Sequence, residues 1–200
     1  MAKDRPFGVL VGTFMLSATL VACGGGEATS AASSAASTGG ETTSQAATAP
    51  VESHLVVGAL NSVGGSRGAA LAGSSVGYDT VEDAAVALES GAVNVVVLSD
   101  ADAAALYNSV EGRALVVDAV ADEGDALVVS VVSLGSFSER PEEVVAYVAA
   151  HQAAVEADGD TFYRGSAMQD SVSARIKNAY AEDPARVGGE LPPDNFYFLG

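Results

Sequence analysis

The sequence predicts an α/β fold: a mostly parallel sheet with one antiparallel strand, flanked by helices and closed by further C-terminal helices. Three observations predict it. Short runs built almost wholly of aliphatic residues, "VNVVVLS" (93–99) above all, are the pattern of strands buried on both faces. Between such runs lie segments that open on a capping residue with an acid three positions on, Thr80 with Asp83 and Ser99 with Asp102, and close on Gly91 and Gly112. Finally, two aliphatic runs, 114–120 and 126–134, flank the acidic turn Asp122-Glu123-Gly124-Asp125, which predicts an antiparallel pair.

Taken in order, "HLVVGAL" (54–60) is a buried strand. "GGSRGAALAG" (64–73) has glycines at both ends and holds a short helix, and "VGYDT" (76–80) is a second strand. The capped helix from Thr80, the strand at 93–99 and the capped helix from Ser99 follow. After the 114–120 and 126–134 strands, Pro141 opens a long helix with Val144, Val148 and Val155 near one face. Ser166 and Gln169 form a further capping box. Met168, Val172, Ile176 and Tyr180 then recur every four residues, so one stripe of a last helix faces the core.

The N-terminal quarter reads differently. A start containing Lys3 and Arg5 leads into the apolar stretch 9–22, "VLVGTFMLSATLVA". That is shorter than the roughly 20 apolar residues of a membrane span and has the layout of a secretory signal. Leu20-Val21-Ala22-Cys23 resembles the lipobox of bacterial lipoproteins, and Cys23 is the single cysteine of the chain. The resemblance implies a signal peptide over 1–22, diacylglycerol on the Cys23 thiol, and export to the outer face of the bacterial cell membrane, held there by the lipid. Residues 23–53 are almost all Gly, Ala, Ser, Thr and Glu. Such a composition buries too little surface to offset its ordering entropy and predicts a tether. Residues 54–200 are the right length for one domain.

The chain carries 26 acidic and 9 basic residues, a formal charge of -17. Nucleic-acid binding is excluded as an expectation, because it needs a basic face. No His/Cys/Asp/Glu group has metal-ligand spacing, so no metal or other cofactor is expected. His54 and His151 read as surface or packing residues. The acidic runs Asp122-Glu123-Asp125 and Glu156-Asp158-Asp160 read as solvated turns, without the full loop pattern of a calcium hand. "GGSRG" (64–68) lacks both the dinucleotide fingerprint and the phosphate-loop lysine. It is either an anion- or solute-binding loop at a helix start or a tight packing turn. No nucleophile setting appears, and no enzyme is expected.

Three stretches are similar to a known family. "VNVVVLSDADAAALYNSVEGRALVVDAV" (93–120), with Leu106-Tyr107-Asn108, resembles the first lobe of ABC-transporter substrate-binding proteins of the nitrate/sulfonate/taurine type. "LVVSVVSLGSFSERPEEVVAYVAAHQAAVEA" (127–157) resembles the strand and helix that follow their second lobe. "DPARVGGELPPDNFYFLG" (183–200) resembles their C-terminus. Members have two lobes hinged about a cleft, the second inserted within the first. Here Asp122–Asp125 joins the segments that the insertion would separate, so the resemblance implies a single lobe closed by a hairpin. It also implies a solute-binding component of an importer, with a sulfonate, nitrate or pyrimidine-like solute and an ABC permease as partners. Binding by one lobe alone would be weak. The alternative is a degenerate or interaction-type surface lipoprotein with no solute.

In open α/β sheets ligands sit beyond the C-terminal ends of parallel strands. That places Asn61, Ser62, Gly64, Gly65, Ser66 and Arg67 after the first strand, and Ser99, Asp100 and Ala101 after the third, as the candidate ligand-binding residues.

Overall fold

The computed structural model describes residues 54–121 and 127–200. They form six strands and six helices: β1 (Val57–Leu60), α1 (Arg67–Leu71), β2 (Val76–Tyr78), α2 (Val81–Glu89), β3 (Val95–Ser99), α3 (Asp100–Ser109), β4 (Ala114–Ala121), β5 (Leu127–Ser133), α4 (Leu134–Glu139), α5 (Pro141–Asp158), β6 (Phe162–Tyr163) and α6 (Gly165–Glu182). Two short 3-10 turns, Pro184–Val187 and Asp194–Phe196, follow. Cys23, the tether and the acidic turn lie outside the described residues. Among the described residues no helix is long and apolar enough to cross a membrane.

The strands make one sheet in the order β2-β1-β3-β5-β4-β6. β1 pairs parallel with both β2 and β3. β5 lies antiparallel between β3 and β4, so β4 runs in the direction of β1, β2 and β3. The fold is the expected α/β class, with four of its six strands in one direction. The expected antiparallel strand is β5; the two-residue β6, antiparallel to β4, is a second one. Two further elements were not anticipated. α4 is short and rich in Ser and Gly, and it forms because Ser133 caps it by accepting from the Ser136 N–H. β6 is too short for an alternation pattern to reveal it.

Local signals set most boundaries. Thr80 Oγ1 accepts from the Asp83 N–H at 3.1 Å, and Ser99 Oγ from the Asp102 N–H at 3.2 Å. Glu82 and Asp83 in α2, Asp100 and Asp102 in α3, and Glu142 and Glu143 in α5 sit in first turns, where the helix dipole favours negative charge. The capping box expected at Ser166 is corrected. β6 pairing runs to Tyr163 and the chain enters α6 at once, with Arg164 as N-cap and no side-chain cap, so Ser166 falls inside the first turn.

Helices cover both faces of the sheet. On one face α2, α3 and α6 pack an apolar core on Val96, Leu98, Val129 and Val131, with Met168, Val172 and Ile176 of α6 buried as their spacing predicts. On the other face α1 and α5 pack on Val57, Ala59, Val95, Val97 and Val132.

β4 carries a bulge. Val116 pairs with Val131 but Asp118 with Ser130, so two residues of β4 oppose one of β5. Strand alternation would send Asp118 to the α6 side. The extra residue Val117 sends it to the α5 side instead, where His151 Nδ1 lies 3.1 Å from Asp118 Oδ2 and both side chains are buried. Beside them the hydroxyls of Ser130 and Tyr147 are 2.9 Å apart. His151 is thus a packing residue, as its sequence context implied, but one with a carboxylate partner.

Candidate functional site

The register fixes which residues share an edge. Ser99 pairs with Val128, and Val128 with Val120, so the ends of β3 and β4 and the start of β5 lie along one edge of the sheet. β1 is parallel to β3 and delivers Asn61 to the same edge. The candidate residues are therefore brought to one side of the domain, but the structure divides them among three settings.

The first is a polar recess of about 330 Å3 beside β2, lined by Asn61, Gly64, Gly65, Ser74, Ser75, Val76 and Gly77. Asn61 is its centre. Its Nδ2 donates to Asp79 Oδ1 at 2.6 Å, and its backbone N–H donates to the Tyr78 carbonyl at 2.8 Å. An ionised carboxylate only accepts, so Asp79 orients the carboxamide with its NH2 toward β2's end and its oxygen over Gly77. A Cβ on Gly77 would stand 2.5 Å from that oxygen, which is why a glycine is required there. Gly65 faces open space, with nothing within 4 Å of a Cβ. Ser62 is exposed at the rim of this loop.

The second setting belongs to Ser66 and Arg67. Ser66 Oγ accepts from the Ala69 N–H at 3.1 Å and caps α1. Arg67 reaches the end of α5, where Nε donates to Asp158 Oδ2 and lies 3.2 Å from Asp160 Oδ2. The Arg67 hydrogen bond holds the Asp158 carboxyl below the usual carboxylate range, against a smaller opposing effect of desolvation. Asp158 and Asp160 are thus the partners of Arg67, a role their reading as a solvated turn did not contain.

In the third setting, Ser99 caps α3 and its hydroxyl also meets Asp102 Oδ2 at 2.8 Å. Asp100 is 9% exposed, and its Oδ2 accepts from Arg175 Nε of α6 at 2.5 Å. Ala101 is buried in the core. Asp100 is a helix-start acid with a structural partner.

The recess residues that sequence reasoning missed are Ser74, Ser75 and Gly77. The signal was present as "GSSVG", a polar loop entering a short strand between two glycines. Among the described residues no group of three or more His, Cys, Asp or Glu is placed to hold a metal ion.

The segments that carry the family resemblance meet one another. Asn108 Nδ2 donates to the Val187 carbonyl at 2.8 Å and the Glu190 carbonyl at 3.0 Å. Gly188, at φ +80°, packs so closely on Asn108 and Ala105 that a Cβ would stand 3.0 Å from the carboxamide. Tyr107 packs edge-on to Phe196, with centroids 4.8 Å apart. No protein-family model, curated protein or solved structure matches the chain.

Proposed function

We propose that this chain is a membrane-tethered, single-lobe relative of ABC-importer substrate-binding lipoproteins, a non-enzyme delivered by a signal peptide and anchored through lipid on Cys23. It binds a small polar solute weakly, for an ABC permease, in the recess beside Asn61. One observation carries the solute reading: the concave site at the expected edge is lined mainly by polar groups, Asn61, Ser74, Ser75 and glycine backbone, with Val76 as its one apolar side chain. The β4–β5 hairpin supports the single-lobe half of the reading, because the two strands that flank the acidic turn pair along their whole length.

The chemistry narrows the solute. Arg67 is engaged by Asp158 and Asp160, and no cationic side chain lines the recess. Of the sulfonate, nitrate and pyrimidine-like candidates, a neutral pyrimidine-like solute fits best, because the Asn61 carboxamide and the Ser74 hydroxyl offer it donors and acceptors, while Ser75 Oγ, which donates to the Val57 carbonyl at 3.3 Å, offers an acceptor. An open site encloses little of a ligand's surface, so the affinity is no tighter than roughly micromolar. Isothermal titration of the full chain with uracil, taurine and nitrate tests this. The expected result is weak uracil binding, reduced about tenfold by Asn61→Ala, from loss of roughly one hydrogen bond, and unchanged by Arg67→Ala. Nanomolar affinity, or uracil binding indifferent to Asn61→Ala, overturns the assignment. Absence of binding by all three solutes favours the interaction-type lipoprotein.

A further inference from the structure

The α5 side of the domain carries a groove that the solute reading does not use. It has a volume of about 600 Å3 and runs between α5, the first turn of α6 and residues 198–200. Its floor is apolar: Val117 and Val144 are buried, with Val148 and Phe198 half-buried beside them. At its mouth Val145 and Leu199 are 55% and 54% exposed, so the apolar lining continues to the surface. No acidic side chain lines the groove, and one basic residue does, Arg164. Arg67, Arg113, Arg175 and Arg186 each pair with a carboxylate, whereas Arg140, Arg164 and Lys177 have no ion partner among the described residues, and of these three Arg164 lines the groove. The chain has 26 acidic residues against 9 basic ones, so this arginine stands unneutralised amid a surplus of carboxylates.

We propose that this groove binds a small amphipathic carboxylate, its apolar body along Val117, Val144, Val148 and Phe198 and its head group at Arg164. The volume lies within the range of roughly 300–1,000 Å3 typical of small-molecule sites, and such sites combine apolar walls with few polar groups. A guanidinium matches a carboxylate with two parallel hydrogen bonds, which sets this head group apart from a neutral or cationic one. The site lies on a different part of the domain from the Asn61 recess, and its success or failure is independent of the solute reading.

Octanoate, octan-1-ol and octyltrimethylammonium serve as probes, titrated calorimetrically into the full chain carrying Cys23→Ser, so that no attached acyl group competes. Octanoate is expected to bind saturably with one site, about tenfold more tightly than octanol, the preference of one charge-assisted hydrogen-bonded pair. The cationic probe is expected not to bind. Arg164→Ala removes the preference for octanoate over octanol. Ala149→Trp, at an exposed position of α5 that also lines the groove, weakens both at least tenfold while circular dichroism stays unchanged. Equal binding of octanoate and octanol, a preference that survives Arg164→Ala, or binding indifferent to Ala149→Trp overturns the proposal. So does a wild-type dimer that Val145→Arg dissolves with no octanoate binding, which assigns the groove to a second copy.

Discussion

The two faces of the sheet are built from the same strands and differ in what they bury. The face under α2, α3 and α6 buries an apolar core, with the Asp100–Arg175 pair joining α3 to α6, and the helices on it run for 9, 10 and 18 residues. The other face is covered by α5, but its companions α1 and α4 have only 5 and 6 residues. That face holds Asp118, Ser130, Tyr147 and His151 in its interior and leaves the groove at Arg164 open. A single extra residue in β4 makes much of this difference, because the bulge at Val117 turns Asp118 away from the apolar face. The core of one face is specified mainly by volume; that of the other also depends on buried polar groups finding one another.

The largest expected effect separates those two kinds of specification. Asp118 Oδ1 and His151 Nε2 have no hydrogen-bond partner among the described residues, so the contact between Asp118 Oδ2 and His151 Nδ1 is the principal compensation for burying both. Asp118→Ala strands His151 and is expected to cost about 3–5 kcal/mol in urea unfolding. The double variant Asp118→Val with His151→Leu is expected to recover most of that loss, since an apolar pair of similar volume carries no desolvation penalty. Ile176→Ala on the opposite face leaves a cavity, costing about 2–5 kcal/mol, with no polar partner whose removal compensates. A double variant as unstable as Asp118→Ala would show that the α5 face, too, is specified by shape.

An effect at alkaline pH probes the same contrast. Burial pushes the Tyr197 hydroxyl, on the α6 face, up to about 12, with a contribution from Asp194 and an opposing one from the Ser173 hydrogen bond. Burial also raises Tyr147, on the α5 face, well above the usual phenol range, and the charge of Asp118 adds to it. In both, the folded state keeps a proton that the unfolded chain releases near pH 10. The stability each contributes is therefore complete below about pH 10 and is lost as pH rises through the folded value. Absorbance titration should show late-ionising tyrosine in the wild type. Asp118→Asn should advance the Tyr147 component and leave that of Tyr197 in place. If both shift together, the variant has loosened the whole domain rather than removed one charge.

Most of the fold was legible because its signals are local. Caps at Thr80 and Ser99, the aliphatic run at 95–98 and the four-residue spacing from Met168 to Ile176 each declare an element within a dozen residues. The bulge was hidden because no local signal marks it, and the partner it brings to Asp118, His151, lies 33 residues away. The candidate site was half legible. Topology put Asn61 and Ser99 at one edge, but propensity says nothing about Arg67 finding Asp158 and Asp160, or Asp100 finding Arg175, across 91, 93 and 75 residues. Charged residues at a strand end look alike in sequence whether they face a ligand or each other.

The smallest expected effect tests the contact that turns Arg67 toward α5. The Asp158 carboxyl is held low chiefly by the hydrogen bond from Arg67, with charge attraction adding to it. Because the folded carboxyl titrates below its unfolded counterpart, the contact's contribution is present above the usual carboxylate range, near pH 4, and is lost as pH falls through the folded value. Arg67→Ala should raise the Asp158 value in a carboxyl-resolved NMR titration. The stability difference between wild type and variant should be small at neutral pH, because both partners are solvent-exposed, and should vanish on acidification. Salt should shrink it further. An Asp158 value unmoved by Arg67→Ala would mean that Arg67 spends its time elsewhere, and would reopen the Asn61 recess to an anionic solute.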